Sequence, residues 1–385
     1  MTLSPDPYPD YARSRAETPV YRAVLPNGLP AWIVTRYDDV RTVLADPGIS
    51  KNPDHVRKAM AAGTVPEGGK TAPDMNHADP PDHTRLRRLV TREFTGKRIA
   101  GLEPRMREIA GELIGRFAGD GHADLIAQFA IPFPVTVICE LLGVPEADRA
   151  ELRELSVALL RDDEHRREAH AALTEHIRDL VRRKRNQRGD DLISALVPVA
   201  EDDDALNWDE LASMVLLLLV AGHETTANLI GNGMLGLLRH PEQAERLRRR
   251  PELLSTAVDE LLRFDPPLQL GTFRFATSAI ELETTTIPEG SAVIVNLASA
   301  NRDERYLPDA DTLDVDRKIT AHLSFGHGIH YCLGAQFARA EGRAAFGLLL
   351  RLPALRLAVP PETLEYQGNV IMRGLKALPV TFDVR

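Results

Sequence analysis

The stretch Phe325-Gly326-His327-Gly328-Ile329-His330-Tyr331-Cys332-Leu333-Gly334 carries the densest chemical signal in the chain. Its glycines let the backbone approach something flat or bulky. Its cysteine stands where a loop enters a helix, and there the helix dipole and free N–H groups stabilise a thiolate. Such a thiolate serves as a nucleophile or as a metal ligand. A buried structural cysteine beside a glycine-rich turn fits the same residues. Gly326 and Gly328 also mimic the start of a dinucleotide loop, but the next glycine, Gly334, is out of register for GxGxxG and no βαβ unit surrounds it.

A second constellation, Ala221-Gly222-His223-Glu224-Thr225-Thr226, lies inside an apolar helix. Glycine at such a position costs about 0.5–1 kcal/mol relative to alanine, and it leaves a groove where a planar ligand could lie. Buried polar groups are expensive unless partnered, so a carboxylate and hydroxyls here point to function. A threonine bonded back to its own helix, beside a satisfied glutamate, accounts for them equally well. The third constellation, Glu260-Leu261-Leu262-Arg263, sets opposite charges three apart on one helix face, a pair worth only about 0.2–0.5 kcal/mol.

These residues need a scaffold, and the composition allows a large one. The 385 residues are 43% hydrophobic and 27% charged, ordinary for a globular chain. Length alone suggests about two or three domains. Forty-seven basic residues against 56 acidic ones give a net charge of −9, a poor balance for a nucleic-acid binder. Cys139 and Cys332 are the two cysteines, too few for a disulfide framework and consistent with a reducing cytoplasm. The N-terminus has neither a basic nor an apolar targeting region. The strongest apolar run, Met214 to Ala221, falls short of the roughly 20 residues of a membrane span.

The helical signal runs from about residue 82 to 263 and again over 333–352. It predicts helices at 85–94, 102–117, 147–160 and 166–188. The basic cluster ending the last of these reads as a solvated face. A long helix opens at Asn207-Trp208-Asp209-Glu210 and reaches about Leu238, about 45 Å. Its middle is apolar on every face, which predicts burial all round. Strand-like segments fall near 20–36, 272–296 and 355–384, with Pro30–Thr35 and Ser291–Asn296 the clearest. Residues 50–74 read as a long loop, either a lid or binding loop or a disordered segment. The fold class is mainly α with a small β part. One central helix and a C-terminal loop bearing Cys332 point to a single domain over 1–385, and Cys139, in Val137-Ile138-Cys139, reads as core.

Taken together and in this order, the three constellations resemble the cytochromes P450, haem-thiolate monooxygenases. That family carries [AG]-G-x-[DE]-T in a long central helix, ExxR, and F-x-x-G-x-x-x-C-x-G before its C-terminal helix. Asp79 to Arg87, Phe273 to Thr277 and Ala300 to Asp303 are also similar to soluble bacterial members. The resemblance implies haem b, with Cys332 as the axial thiolate whose electron donation favours O–O cleavage. Phe325, Gly326, Gly334, Ala221 and Gly222 would border the haem. His83, Arg87, Arg274 and His330 match positions that bind its propionates. Glu224 and Thr225 match the acid–alcohol pair that relays protons during dioxygen activation. Glu260 and Arg263 would be a buried structural pair.

By the same resemblance, electrons come from a ferredoxin and its NAD(P)H-dependent reductase, docked on the cysteine side. Leu217, Val220, Leu270, Thr272, Ile371 and Met372 fall in regions that contact substrate, a mostly apolar small molecule such as a polyketide, macrolide or terpenoid. The protein would be a cytoplasmic monomer that binds neither membrane nor nucleic acid. A peroxide-driven haem-thiolate enzyme, a non-enzymatic haem protein and a hydrolase with a cysteine nucleophile are the competing readings. Two departures stand out. Thr312 replaces an arginine that often joins the ExxR pair, and Glu283-Thr284-Thr285 lacks the glycine turn common in bacterial relatives.

Overall fold

The computed structural model describes residues 5–25, 28–52, 54–55, 74–158, 165–201, 206–318 and 321–384. Most of the predicted 50–74 loop lies outside the described residues. The chain divides into two compact units. One comprises residues 1–67, 110–130 and 225–385, the other 68–109 and 131–224.

The first unit holds a five-stranded sheet in the order Val20–Val24, Pro30–Val34, Ala292–Val295, Arg274–Ala276, Ile49–Ser50. Pro30–Val34 and Ala292–Val295 pair in parallel, with Ile33 opposite Ile294, and the other pairings are antiparallel. Side chains alternate across it. Val34, Val293 and Val295 face Tyr37, Val40 and Leu44 of the helix Tyr37–Ala45. Ile33, Ile294 and Phe275 fill the other face. The strand-like segment near 272–296 is broken into short strands, the first two being Arg274–Ala276 and Ile280–Glu281. The second piece pairs with Thr286–Ile287 through a turn closed by Leu282 N–H on the Thr285 carbonyl at 3.0 Å, so no glycine is needed there.

Two helices of this unit, Leu254–Phe264 and Ala335–Leu349, pack together. The first buries Glu260 and Arg263 completely. The arginine expected at position 312 is supplied instead by Arg317, whose Nε lies 3.3 Å from Glu260 Oε1. Thr312 contributes its backbone carbonyl, which accepts from Arg263 at 3.0 Å.

The second unit is helical: Asp82–Thr91, Glu146–Ala158 and His165–Asn186 lie close to predicted segments, while Pro132–Leu142 and Leu192–Ala200 are not among the predicted helices. Cys139 is buried there, and burial pushes its thiol up to about 12. The long helix, Trp208–Arg239, belongs to the second unit through Glu224 and to the first from Thr225. Asn207 caps it reciprocally: its side chain accepts from Glu210 N–H at 2.8 Å, and Glu210 accepts from Asn207 N–H at 3.0 Å. Arg85 closes on the same glutamate at 2.6 Å.

This helix is long and apolar enough to cross a membrane by composition, yet 61% of its most apolar stretch is buried within the protein. It is not buried all round. Leu217, Val220, Glu224 and Thr225 are half-buried and Ala221 is exposed. Their spacing of three and four places them on one face, so an apolar composition conceals a single open stripe.

Candidate functional site

The cysteine turn is built by backbone bonds. Cys332 N–H donates to the Phe325 carbonyl at 2.9 Å, and Gly326 N–H to the Leu323 carbonyl at 2.8 Å. Gly326 and Gly328 both have φ of +73°. That region suits glycine, and a Cβ on Gly328 would also strike the Leu44 carbonyl. Asn301 anchors the turn from outside, accepting from Leu323 N–H at 2.7 Å and donating to Ser324 Oγ at 2.8 Å. Cys332 itself is exposed. It precedes the first residue of the helix Ala335–Leu349 by three positions. A Cβ on Gly334 would lie 4.0 Å from its sulfur, so the residue leaves that side of the thiol open.

Phe325 is buried behind this turn, with the Arg339 guanidinium 4.5 Å from its ring centre and the His322 ring 5.5 Å away. Both are held by one carboxylate, Asp259, at 2.8 Å from Arg339 and 3.0 Å from His322. Burial alone would raise the Asp259 carboxyl, but His322 and Arg339 together hold it below its ordinary value. His330 closes the short turn Gly328–His330 and is half-buried.

Arg274, on the strand Arg274–Ala276, is 5% exposed. It donates to a neutral acceptor, the Thr272 carbonyl, at 2.7 Å, and no carboxylate pairs with it among the described residues. Burial pulls its guanidinium down to about 10. A buried cation in that state calls for an anion. Gly271 makes room for it, since a Cβ there would come within 3.2 Å of Arg274 Nη1. In the other unit, His83 and Arg87 stand four apart on the helix Asp82–Thr91, His83 buried and Arg87 half-buried.

On the long helix, Gly222 packs against Ile138: a Cβ would sit 3.3 Å from Ile138 Cδ1. His223 is buried, with Nδ1 against the Leu219 carbonyl at 2.8 Å, and desolvation lowers its pKa. It is therefore core, and the polar work of this segment falls to Glu224 and Thr225 on the open stripe. Next to them, Thr226 donates to Glu341 Oε2 at 2.9 Å. Glu341 is fully buried and its pKa is raised well above 4.5 by desolvation.

Glu341 therefore carries a proton in the folded state at pH values where the unfolded chain has released it. Its contribution to stability is fully present below about pH 4.5 and is lost as pH rises toward the folded value. Glu341→Gln removes that loss. Between about pH 5 and about pH 8 the melting temperature of the variant should gain on the wild type. A constant difference across that range would show that Glu341 does not titrate as described.

Of the expected substrate contacts, Leu270 does not face a ligand: it is fully buried in the core with Ile33, Phe275 and Ile294, and only its N–H reaches the half-buried Ile371, at the carbonyl, 3.3 Å away. Met372 forms a bridge with Leu268 and lines an outer cavity of about 460 Å³ near the N-terminus, shared with Tyr11, Tyr21 and Tyr366. Three residues escaped the sequence reading: Arg317, Glu341 and Gln269. All are polar and act through long-range partners; a glutamate on the apolar face of a helix was the one available signal.

Comparison with known proteins agrees with this geometry. The cytochrome P450 family model matches residues 156–363. Cytochrome P450 107B1 of Saccharopolyspora erythraea is 46% identical over 382 residues, covering 96% of this chain and 93% of the relative. Vitamin D(3) 25-hydroxylase of Pseudonocardia autotrophica is 45% identical, covering 100% of this chain and 96% of the relative. The solved structure of tirandamycin C-bound P450 monooxygenase TamI superimposes with a TM-score of 0.92 at 43% identity, covering 98% of both chains. The chain belongs to the cytochrome P450 family and has its fold. It is a monooxygenase, and its cofactor is haem b. In the first unit the residues present fit that group: a sulfur on an exposed turn and a buried arginine that no carboxylate pairs with among the described residues.

Proposed function

We propose that Cys332 is the axial thiolate and that Arg274 and His330, with His83 and Arg87, hold the haem propionates. The observation that carries this reading is Arg274, a guanidinium 5% exposed with a single carbonyl partner, in the same unit as the exposed Cys332. Ala221, Gly222, Phe325, Gly326 and Gly334 border the ring. When bound, the haem supplies the oxidising chemistry that inserts an oxygen atom from dioxygen into the substrate. The chain's own part is binding, orientation and proton traffic. Glu224 is half-buried at a helix position next to the Thr225 hydroxyl. It can take up protons from solvent and pass them through that hydroxyl, an acid–base task suited to such a pair.

The substrate is a mostly apolar small molecule, of polyketide, macrolide or terpenoid type, that is hydroxylated or epoxidised. Leu217, Val220, Thr272 and Ile371 contact it, mostly apolar side chains with few polar groups, as in most small-molecule sites. The electrons come from a ferredoxin and its NAD(P)H-dependent reductase. Arg41, exposed beside the cysteine turn, attracts an acidic partner. The two units make up one family domain, and the protein works as a cytoplasmic monomer. Titration of the ferric holoprotein against macrolides, polyketides and terpenoids tests the reading. At least one class should shift the Soret band to shorter wavelength as the iron loses its water. No shift with any class, in a protein with the thiolate-type reduced-CO band, would overturn the substrate assignment.

A further inference from the structure

Gln269 is 8% exposed and lies between two apolar residues, Leu268 and Leu270. Its amide is fully engaged. Nε2 donates to the Val370 carbonyl at 2.9 Å and the Asn369 carbonyl at 3.4 Å, and Oε1 accepts from the Tyr11 hydroxyl at 3.0 Å. Two carbonyls on one side fix which end is the nitrogen. Its backbone is tied as well: its N–H donates to the Ile371 carbonyl at 3.0 Å, and its carbonyl accepts from Ala298 N–H at 3.1 Å. The two segments are held further by Arg373 N–H on the Pro267 carbonyl at 2.8 Å and by the Leu268–Met372 bridge.

Gln269 lines the 460 Å³ outer cavity together with Tyr11, Val370 and Met372, and Leu270 and Ile371 do not line it. On that side the segment has hollow space rather than packed core. Close packing ordinarily fixes such a segment; here the bonds of one amide do so. Tyr11 is itself buried, on the N-terminal helix Tyr8–Glu17. That helix is moored to the same region: Tyr8 donates to Asp265 at 2.6 Å, and Arg373 donates to Asp265 at 2.8 Å and to the Pro5 carbonyl at 2.9 Å.

We infer that Gln269 is a positioning residue for the ligand-facing side chain Ile371, and that Tyr11 of the N-terminal helix fixes Gln269 for this task. The inference rests on the proposal that Ile371 contacts substrate. It extends the determinants of ligand fit to a helix more than 250 residues away in sequence, as the Tyr11–Gln269 separation of 258 shows.

Two probes read it without turnover. Imidazole reports the iron alone; clotrimazole, an imidazole bearing a triaryl group, reports the surrounding wall too. Both are titrated by their Soret shift into haem-loaded protein. Gln269→Ala leaves the Val370 carbonyl and the Tyr11 hydroxyl without their partner, and clotrimazole should bind about tenfold more weakly while imidazole changes by less than about twofold. Tyr11→Phe keeps the ring and should move clotrimazole the same way by about threefold. Unchanged clotrimazole binding in either variant, or equal weakening of both probes, overturns the inference. If Gln269→Ala does not load haem, Tyr11→Phe decides. Ile371→Ala separates the premise: an unchanged clotrimazole-to-imidazole ratio there refutes ligand contact itself, whereas a changed ratio with Gln269→Ala silent refutes only the positioning role.

Discussion

Cys332→Ser should yield a folded protein that has lost the thiolate-type reduced-CO band and whose monooxygenase turnover has dropped by at least ~10²-fold, since changes one shell further out already cost metal sites about 10- to 100-fold. Folding should survive because the bond that shapes the turn, from Cys332 N–H to the Phe325 carbonyl, belongs to the backbone. The residue is also exposed, so the exchange of sulfur for oxygen opens no cavity in the core. What changes is the donor. A hydroxyl resists deprotonation far more than a thiol and is a harder, poorer ligand for haem iron. Cys139 is the internal control. It is the other cysteine, buried, with its thiol raised to about 12, and it is held in the core of the second unit. Cys139→Ala should keep the thiolate band and instead lower the melting temperature. A thiolate band that persists in Cys332→Ser would move the ligand elsewhere and dissolve the proposed site.

The helices and the cysteine turn were legible because their signals are local. Asn207 and Glu210 mark a helix start by their own side chains. Glycines at positive φ mark a turn wherever it lies in the fold. The open stripe of the long helix was legible only through the family resemblance, not from residue type. Leu217, Val220 and Ala221 are apolar whether they meet neighbouring helices or a bound group, so residue type does not separate the two. Arg317 was missed for a different reason. It reaches Glu260 from an irregular segment, where no period links sequence spacing to direction. Gln269 reads as an odd polar residue between two leucines until Tyr11, far away in sequence, is seen to complete its bonds. Polar residues in this protein gain their meaning from partners that sequence distance hides.

Glu260→Gln should destabilise the protein by about 3–5 kcal/mol, the cost of leaving one member of a buried ion pair uncompensated. The exposed-helix estimate for such a pair, a few tenths of a kcal/mol, does not apply, because the two side chains are 0% and 1% exposed. Arg263 makes five bonds. Nε and Nη2 go to the Glu260 carboxylate at 2.7 and 2.8 Å. The Asn301, Ala310 and Thr312 carbonyls accept the others at 3.1, 2.6 and 3.0 Å. That matches the five N–H groups of a guanidinium, so the network has no slack. Glu260 also accepts from Asp314 N–H at 2.9 Å and faces Arg317. The glutamine amide would remove the negative charge between two arginines and set N–H against N–H or against Arg263. Arg263→Lys should cost a similar amount, because an ammonium with three donors cannot serve three carbonyls and a carboxylate. The segment 301–317 that these bonds gather also carries Asn301, which anchors Leu323 and Ser324 beside the cysteine turn. Loss of stability should therefore come with loss of haem retention, measured as the ratio of Soret to protein absorbance. Denaturant unfolding that places Glu260→Gln within about 1 kcal/mol of wild type, below the range for broken buried pairs, would show that the pair does not hold the proximal fold together.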